Sequence, residues 1–147
     1  MDVRKKTDSI IIHCAATKPT MDIGYKEIRT WHVDQNGWDD VGYHYIIRRN
    51  GKYEKGRPEG YSGAHAPSHN GRSIGICLVG GMAEDGGPEN NFTLEQFLTL
   101  KDLINMLMDK YSDITEILGH CDIQENKPNC PGFNVKEWLN KEAINVA

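Results

Sequence analysis

No apolar run in this 147-residue chain approaches the roughly 18 residues that a membrane-spanning helix needs. Nor does Met1-Asp2-Val3-Arg4-Lys5-Lys6 lead into a signal-type hydrophobic stretch, so the expectation is a soluble chain made in the cytoplasm without a signal peptide and without a membrane partner. Positive charge is in deficit: 17 basic residues against 21 acidic ones leave a net charge of −4, which lacks the basic footprint of a nucleic-acid binder. Cysteine is sparse. Four cysteines, Cys14, Cys77, Cys121 and Cys130, are too few for a disulfide scaffold, which leaves reduced thiols or metal ligation as their uses. Disorder is excluded in turn, because 38% hydrophobic residues in a chain of single-domain length suffice to bury a core.

What is present falls into alternating segments. Asp8–Cys14 carries three consecutive isoleucines and reads as a strand buried on both faces. Asp22 can cap a helix bearing Tyr25, Ile28, Trp31 and His32, which Asn36-Gly37 ends. Tyr43–Ile47 and Lys52–Glu54 flank Asn50-Gly51, a dipeptide suited to a tight hairpin turn. Residues 57–72 are rich in Gly, Pro, Ser, Asn and His without any period, so they read as a long functional loop. A second buried strand follows over 73–80. Thr93 and Gln96 fit a capping box ahead of the longest helix, whose apolar stripe is Phe97, Leu100, Ile104, Leu107, Met108 and Tyr111. A strand near Thr115–Leu118 delivers Gly119-His120, and Asn134 can cap a last helix. This order predicts one α/β domain over residues 1–147, with a central mixed sheet flanked by about three helices.

Two imidazoles at strand ends, His13 and His120, and the thiol of Cys130 in the following loop form a donor set suited to Zn²⁺. Three protein ligands with one position open is the pattern of a catalytic zinc. The spacing matches no local zinc signature. Taken singly, each histidine also reads as a hydrogen-bonded strand-end residue, and Cys130 as a small buried hydrophobe.

Four segments taken together and in order carry more. His13-Cys14-Ala15-Ala16-Thr17-Lys18-Pro19, Val41–Ile47, Ser73–Gly81, and Gly119-His120 followed by Cys130-Pro131-Gly132-Phe133 resemble the zinc N-acetylmuramoyl-L-alanine amidases, above all their phage lysozymes. Peptidoglycan recognition proteins are more distant relatives. The similarity runs from about Asp8 to Trp138. It implies one Zn²⁺ per chain held by His13, His120 and Cys130, a catalytic Tyr43, a substrate-binding His65, and peptidoglycan as the partner. The family's catalytic lysine stands two residues before the cysteine ligand, where this chain has Pro128; Lys127, three before Cys130, takes its place in the expectation. His44 follows Tyr43 and is expected on the other side of the strand, as a structural residue. His32 and His69 read as surface or boundary residues, Cys14, Cys77 and Cys121 as buried free thiols, and Trp31, Trp38 and Trp138 as core.

The implied reaction is zinc-assisted hydrolysis of the amide between N-acetylmuramic acid and the L-alanine of the stem peptide. An endolysin of this kind is a monomer made in the host cytoplasm that reaches the wall after release. Two other readings stay open on sequence grounds: a non-catalytic peptidoglycan-binding module, and a regulator of a phage-type RNA polymerase, a second role in the phage branch.

Overall fold

The computed structural model describes residues 1–146. Its elements are strands β1 (Ser9–Cys14), β2 (Tyr45–Ile47), β3 (Tyr53–Lys55), β4 (Ser73–Leu78) and β5 (Glu116–Gly119), and helices α1 (Tyr25–Arg29), α2 (Leu94–Lys110) and α3 (Val135–Lys141). The five strands form one sheet in the order β3-β2-β4-β1-β5. β1 runs parallel to both β4 and β5, β2 parallel to β4, and only the β2–β3 hairpin is antiparallel, so the sheet is mixed as expected.

Every residue of β1 and β4 is buried, which is why neither strand shows a polar alternation. One face of the sheet, with Ile10, Ile12, Ile74, Ile76 and Leu78, packs on Leu100, Leu103, Ile104 and Leu107 of α2 and on Val135 and Leu139 of α3. Each such side chain, fully removed from water, contributes about 1.5–3 kcal/mol. The opposite face is thinner. There Ile46, Cys77 and Val79 pack with Val41 and Ile28 of α1.

The capping box of α2 forms as the sequence predicts: the Gln96 N–H donates to Thr93 Oγ1 at 3.1 Å and the Thr93 N–H to Gln96 Oε1 at 2.9 Å. Gln96 Nε2 also donates to the carbonyls of Ile47 and Val79, tying the helix start to two strands. Gly51 sits at φ +86°, the left-handed conformation that the hairpin turn requires. Asn134 caps α3 by accepting from the Glu137 N–H.

The first helix departs from expectation. Its cap is Gly24 rather than Asp22, with the Glu27 carboxylate accepting the Gly24 N–H and Glu54 of β3 accepting the Tyr25 N–H at 2.9 Å. Asp22 instead pairs with Arg48. After Arg29 the turn widens into a π-helical stretch over Thr30–Gln35. Residues 57–72 contain no helix or sheet strand. They are held by their own hydrogen bonds, such as Asn70 Oδ1 accepting from the amides of both His65 and Ala66 at 2.8 Å.

Candidate active site

In an open sheet with parallel strands, functional groups gather beyond the strands' carboxyl ends. β1 and β5 are neighbours, and the register pairs Ile12 with Gly119, so the next residue on each strand places His13 beside His120. Their ring centroids are 4.5 Å apart. The loop after β5 folds back through a Cys121 N–H to Cys130 carbonyl hydrogen bond of 2.8 Å. That turn brings the Cys130 thiol to 4.0 Å from His13 Nδ1. The three ligand atoms of His13, His120 and Cys130 all lie within 4.8 Å of one another.

The donor set fits a zinc ion. Bond lengths of about 2.0–2.3 Å in tetrahedral geometry put ligand atoms roughly 3.3–3.8 Å apart, so the 4.0 Å between sulfur and nitrogen needs a small inward adjustment and separations of up to 4.8 Å within the group need one of about 1 Å. Both imidazoles are held neutral: burial, then the adjacent His65 and His120, push His13 well below the usual histidine range, and burial lowers His120. The Cys14 thiol beside it and burial push the Cys130 thiol up, while the Cys14 N–H, 3.3 Å from the Cys130 sulfur, acts in the opposite sense and favours a thiolate there. A buried thiolate at this position needs a cation to offset its desolvation.

Tyr43 stands against the cluster, its ring 5.1 Å from that of His13. Burial raises its phenol well above the usual value, so it remains a neutral O–H donor. Regular alternation is broken here. β2 begins only at Tyr45, and Tyr43 packs with Ile46 rather than on the Tyr45 side of the sheet. His44, as expected, is structural: Nδ1 accepts the Gly75 N–H at 3.0 Å and Nε2 meets the Tyr61 carbonyl at 2.7 Å.

Two open lobes flank the cluster and share Tyr43, His120 and Lys127. One, of about 410 Å³, is lined by Cys14, Met82, Gly86, Pro88, Asn129 and Cys130, among others. The other, of about 460 Å³, includes His13, Trp38, Ala64, His65 and Gln124. Ala64, His65, Pro67 and Asn70 of the long loop thus form one wall.

The residues match known proteins along nearly their whole length. The sequence profile described as N-acetylmuramoyl-L-alanine amidase covers residues 3–133. The chain belongs to this family. It is 44% identical to the endolysin of Klebsiella phage KP32 over 141 residues, 96% of this chain and 91% of that one. The endolysin of Escherichia phage T7 is 43% identical with the same coverage of each chain. Among solved structures, the endolysin N-acetylmuramoyl-L-alanine amidase LysCS from Clostridium intestinale superposes with a TM-score of 0.81 at 31% identity, over 98% of this chain and 88% of that chain.

In this amidase the expected site residues fare differently. His13, His120 and Cys130 come together around one point, with Tyr43 against His13 and Lys127 lining both lobes. His65 lines the second lobe, is 7% exposed, and has both ring nitrogens engaged, Nδ1 with His13 Nε2 at 2.8 Å and Nε2 with Ser73 Oγ at 3.1 Å. The amidase also uses Gln124, whose Oε1 accepts from His120 Nε2. Its signal was the spacing of four residues from His120, legible only once a helical turn is known to follow β5. Cys14 and Cys77 are buried as expected, whereas Cys121 is partly exposed. His69 is buried rather than superficial, held between Ser68 and Arg72. His32 is a boundary residue whose Nδ1 accepts the Gly42 N–H at 2.9 Å. Trp31 and Trp138 pack at the edges of the two core clusters, whereas the core expectation fails for Trp38, which is 37% exposed.

Proposed function

We propose that this chain is a zinc-dependent endolysin that hydrolyses the amide between the lactyl group of N-acetylmuramic acid and the L-alanine of the stem peptide, with His13, His120 and Cys130 as ligands. The observation that carries the reading is the convergence of these three donors beside Tyr43, in an open cleft rather than a sealed core. Zinc bound there supplies Lewis acidity toward the scissile carbonyl and a water nucleophile acidified to near-neutral pH.

The remaining chemistry belongs to the chain. Tyr43 donates its phenolic O–H to the oxygen that becomes negative as the carbonyl turns tetrahedral. Lys127, which lines both lobes, brings a positive charge to the same developing oxyanion. The two lobes on either side of this ridge accommodate a glycan strand on one hand and a stem peptide on the other without threading a polymer.

Residues 1–147 act as one amidase domain and as a monomer. The protein is made in the host cytoplasm and meets the wall after release. Among the described residues no helix is long and apolar enough to cross a membrane. The polymerase-regulator reading gains no support from any feature described above. The retained cysteine donor favours an enzyme over a binding-only module, because binding alone has no use for an open metal position.

The test is mass spectrometry of purified peptidoglycan incubated with the zinc-loaded protein, with its chelator-treated form, and with the chelated form after zinc is restored. Free stem peptides beginning in L-alanine are expected in the first and third samples alone. Wall binding without released peptide in any sample overturns the reading in favour of a recognition module.

A further inference from the structure

We infer that His65 is a positioning residue: a relay from Ser73 through His65 fixes the His13 tautomer so that Nδ1 faces the metal-ligand group. The inference rests on the zinc reading above for its purpose, although the relay itself is read from hydrogen bonds alone.

The argument follows one proton at a time. Ser73 Oγ lies 2.7 Å from the His69 carbonyl, which can only accept, so the single hydroxyl proton is committed there. Its contact with His65 Nε2 at 3.1 Å must then use an oxygen lone pair, which places the His65 proton on Nε2. A neutral His65 consequently has a bare Nδ1. That atom sits 2.8 Å from His13 Nε2, which must carry the proton between them. His13 Nδ1 is left as a lone pair, and it is the atom 4.0 Å from the Cys130 sulfur. A backbone carbonyl thus dictates, through two side chains, which nitrogen of His13 is free to ligate.

The relay is held in place and kept dry. Ser73, His65 and His13 are 0%, 7% and 1% exposed. A Cβ at Gly75 would fall 2.7 Å from the His65 ring, so only glycine lets that imidazole lie against β4. Gln124 gives His120 the matching constraint: its Oε1 accepts from Nε2, so Nδ1 is the free nitrogen there too.

The deciding measurement needs no substitution. Nitrogen NMR of histidine-labelled protein, zinc-loaded and zinc-free, reads which ring nitrogen bears hydrogen; the expected result is Nε2–H for both His13 and His65. A proton on Nδ1 of either residue overturns the relay. Chelator competition then measures zinc affinity directly. His65→Phe, which keeps a ring of similar size but no acceptor, is expected to weaken zinc about 10–100-fold. His65→Asn, whose Oδ1 occupies the place of Nδ1, is expected to recover most of that loss. Equal affinities for the two variants, or no loss in either, would mean His65 does not act through His13; if His65→Phe does not fold, the tautomers alone decide. Failure of the unsubstituted protein to bind zinc would overturn the proposed function, while its tautomers would still report on the relay.

Discussion

His13 and His120 come from opposite ends of the sequence, yet their rings are 4.5 Å apart because β1 and β5 are parallel neighbours in one sheet. The sheet order alone brings them together. Cys130 joins them through a loop that a backbone hydrogen bond from Cys121 to Cys130 folds back. Cys130 packs only at the edge of the larger core, so removing its thiol takes away a ligand and one peripheral contact. Cys130→Ala is expected to lose stoichiometric zinc, measured by elemental analysis, and to lower hydrolysis by roughly 100-fold or more while the thermal unfolding of the metal-free protein stays close to that of the parent. Full zinc with full activity in this variant would show the ligand assignment to be wrong.

Tyr43 offers a separable test, because its ring packs with Ile46 whatever its hydroxyl does. Tyr43→Phe retains the packing and deletes one donor. Its kcat is expected to fall about 10²–10³-fold with KM and zinc content nearly unchanged. A rise in KM at constant kcat would instead assign the phenol to substrate binding.

Lys127 is the residue on which this chain departs from its family's spacing, and it lines both lobes of the cleft. Lys127→Met, which preserves the length of the stem but not the charge, is expected to reduce kcat at least about tenfold, with Lys127→Arg recovering part of the rate. Steady-state kinetics on a soluble muropeptide would check this. Unaltered kcat in Lys127→Met would return the residue to the role of a solvated surface lysine.

Far from the cleft, Glu59 couples stability to acid pH. Burial alone would raise its carboxyl, but hydrogen bonds from Lys110, Tyr111 and Tyr45 outweigh burial and lower it to about 2, against an ordinary 4.5. A carboxyl depressed in the folded state stabilises the fold above its unfolded value and loses that contribution as pH falls from about 4.5 toward 2. Glu59→Gln is expected to cost about 1–3 kcal/mol near pH 7, and the difference in Tm from the parent should shrink steadily below pH 4.5. Chelator-treated protein should be used, so that loss of metal does not mask the effect. A constant difference down to pH 3 would contradict this account.

Local chemistry made much of the fold legible. Three adjacent isoleucines, the Thr93–Gln96 capping box, the Asn50-Gly51 turn and the Asn134 cap each act within a few residues, and each element appears where those residues put it. The first helix starts from Gly24 rather than Asp22 because its cap depends on Glu54 of a strand distant in sequence, a contact that no local pattern announces. The same division runs through the site. The sequence by itself determined the donor types, two imidazoles and a thiol, since side-chain chemistry is a property of each residue alone. Only the tertiary structure decided that they share one point, that Gln124 and Ser73 hydrogen-bond to His120 and His65, and that His65 contacts His13. These depend on strand order and on the direction of single hydrogen bonds, which arise when distant segments pack and leave no periodic trace along the chain.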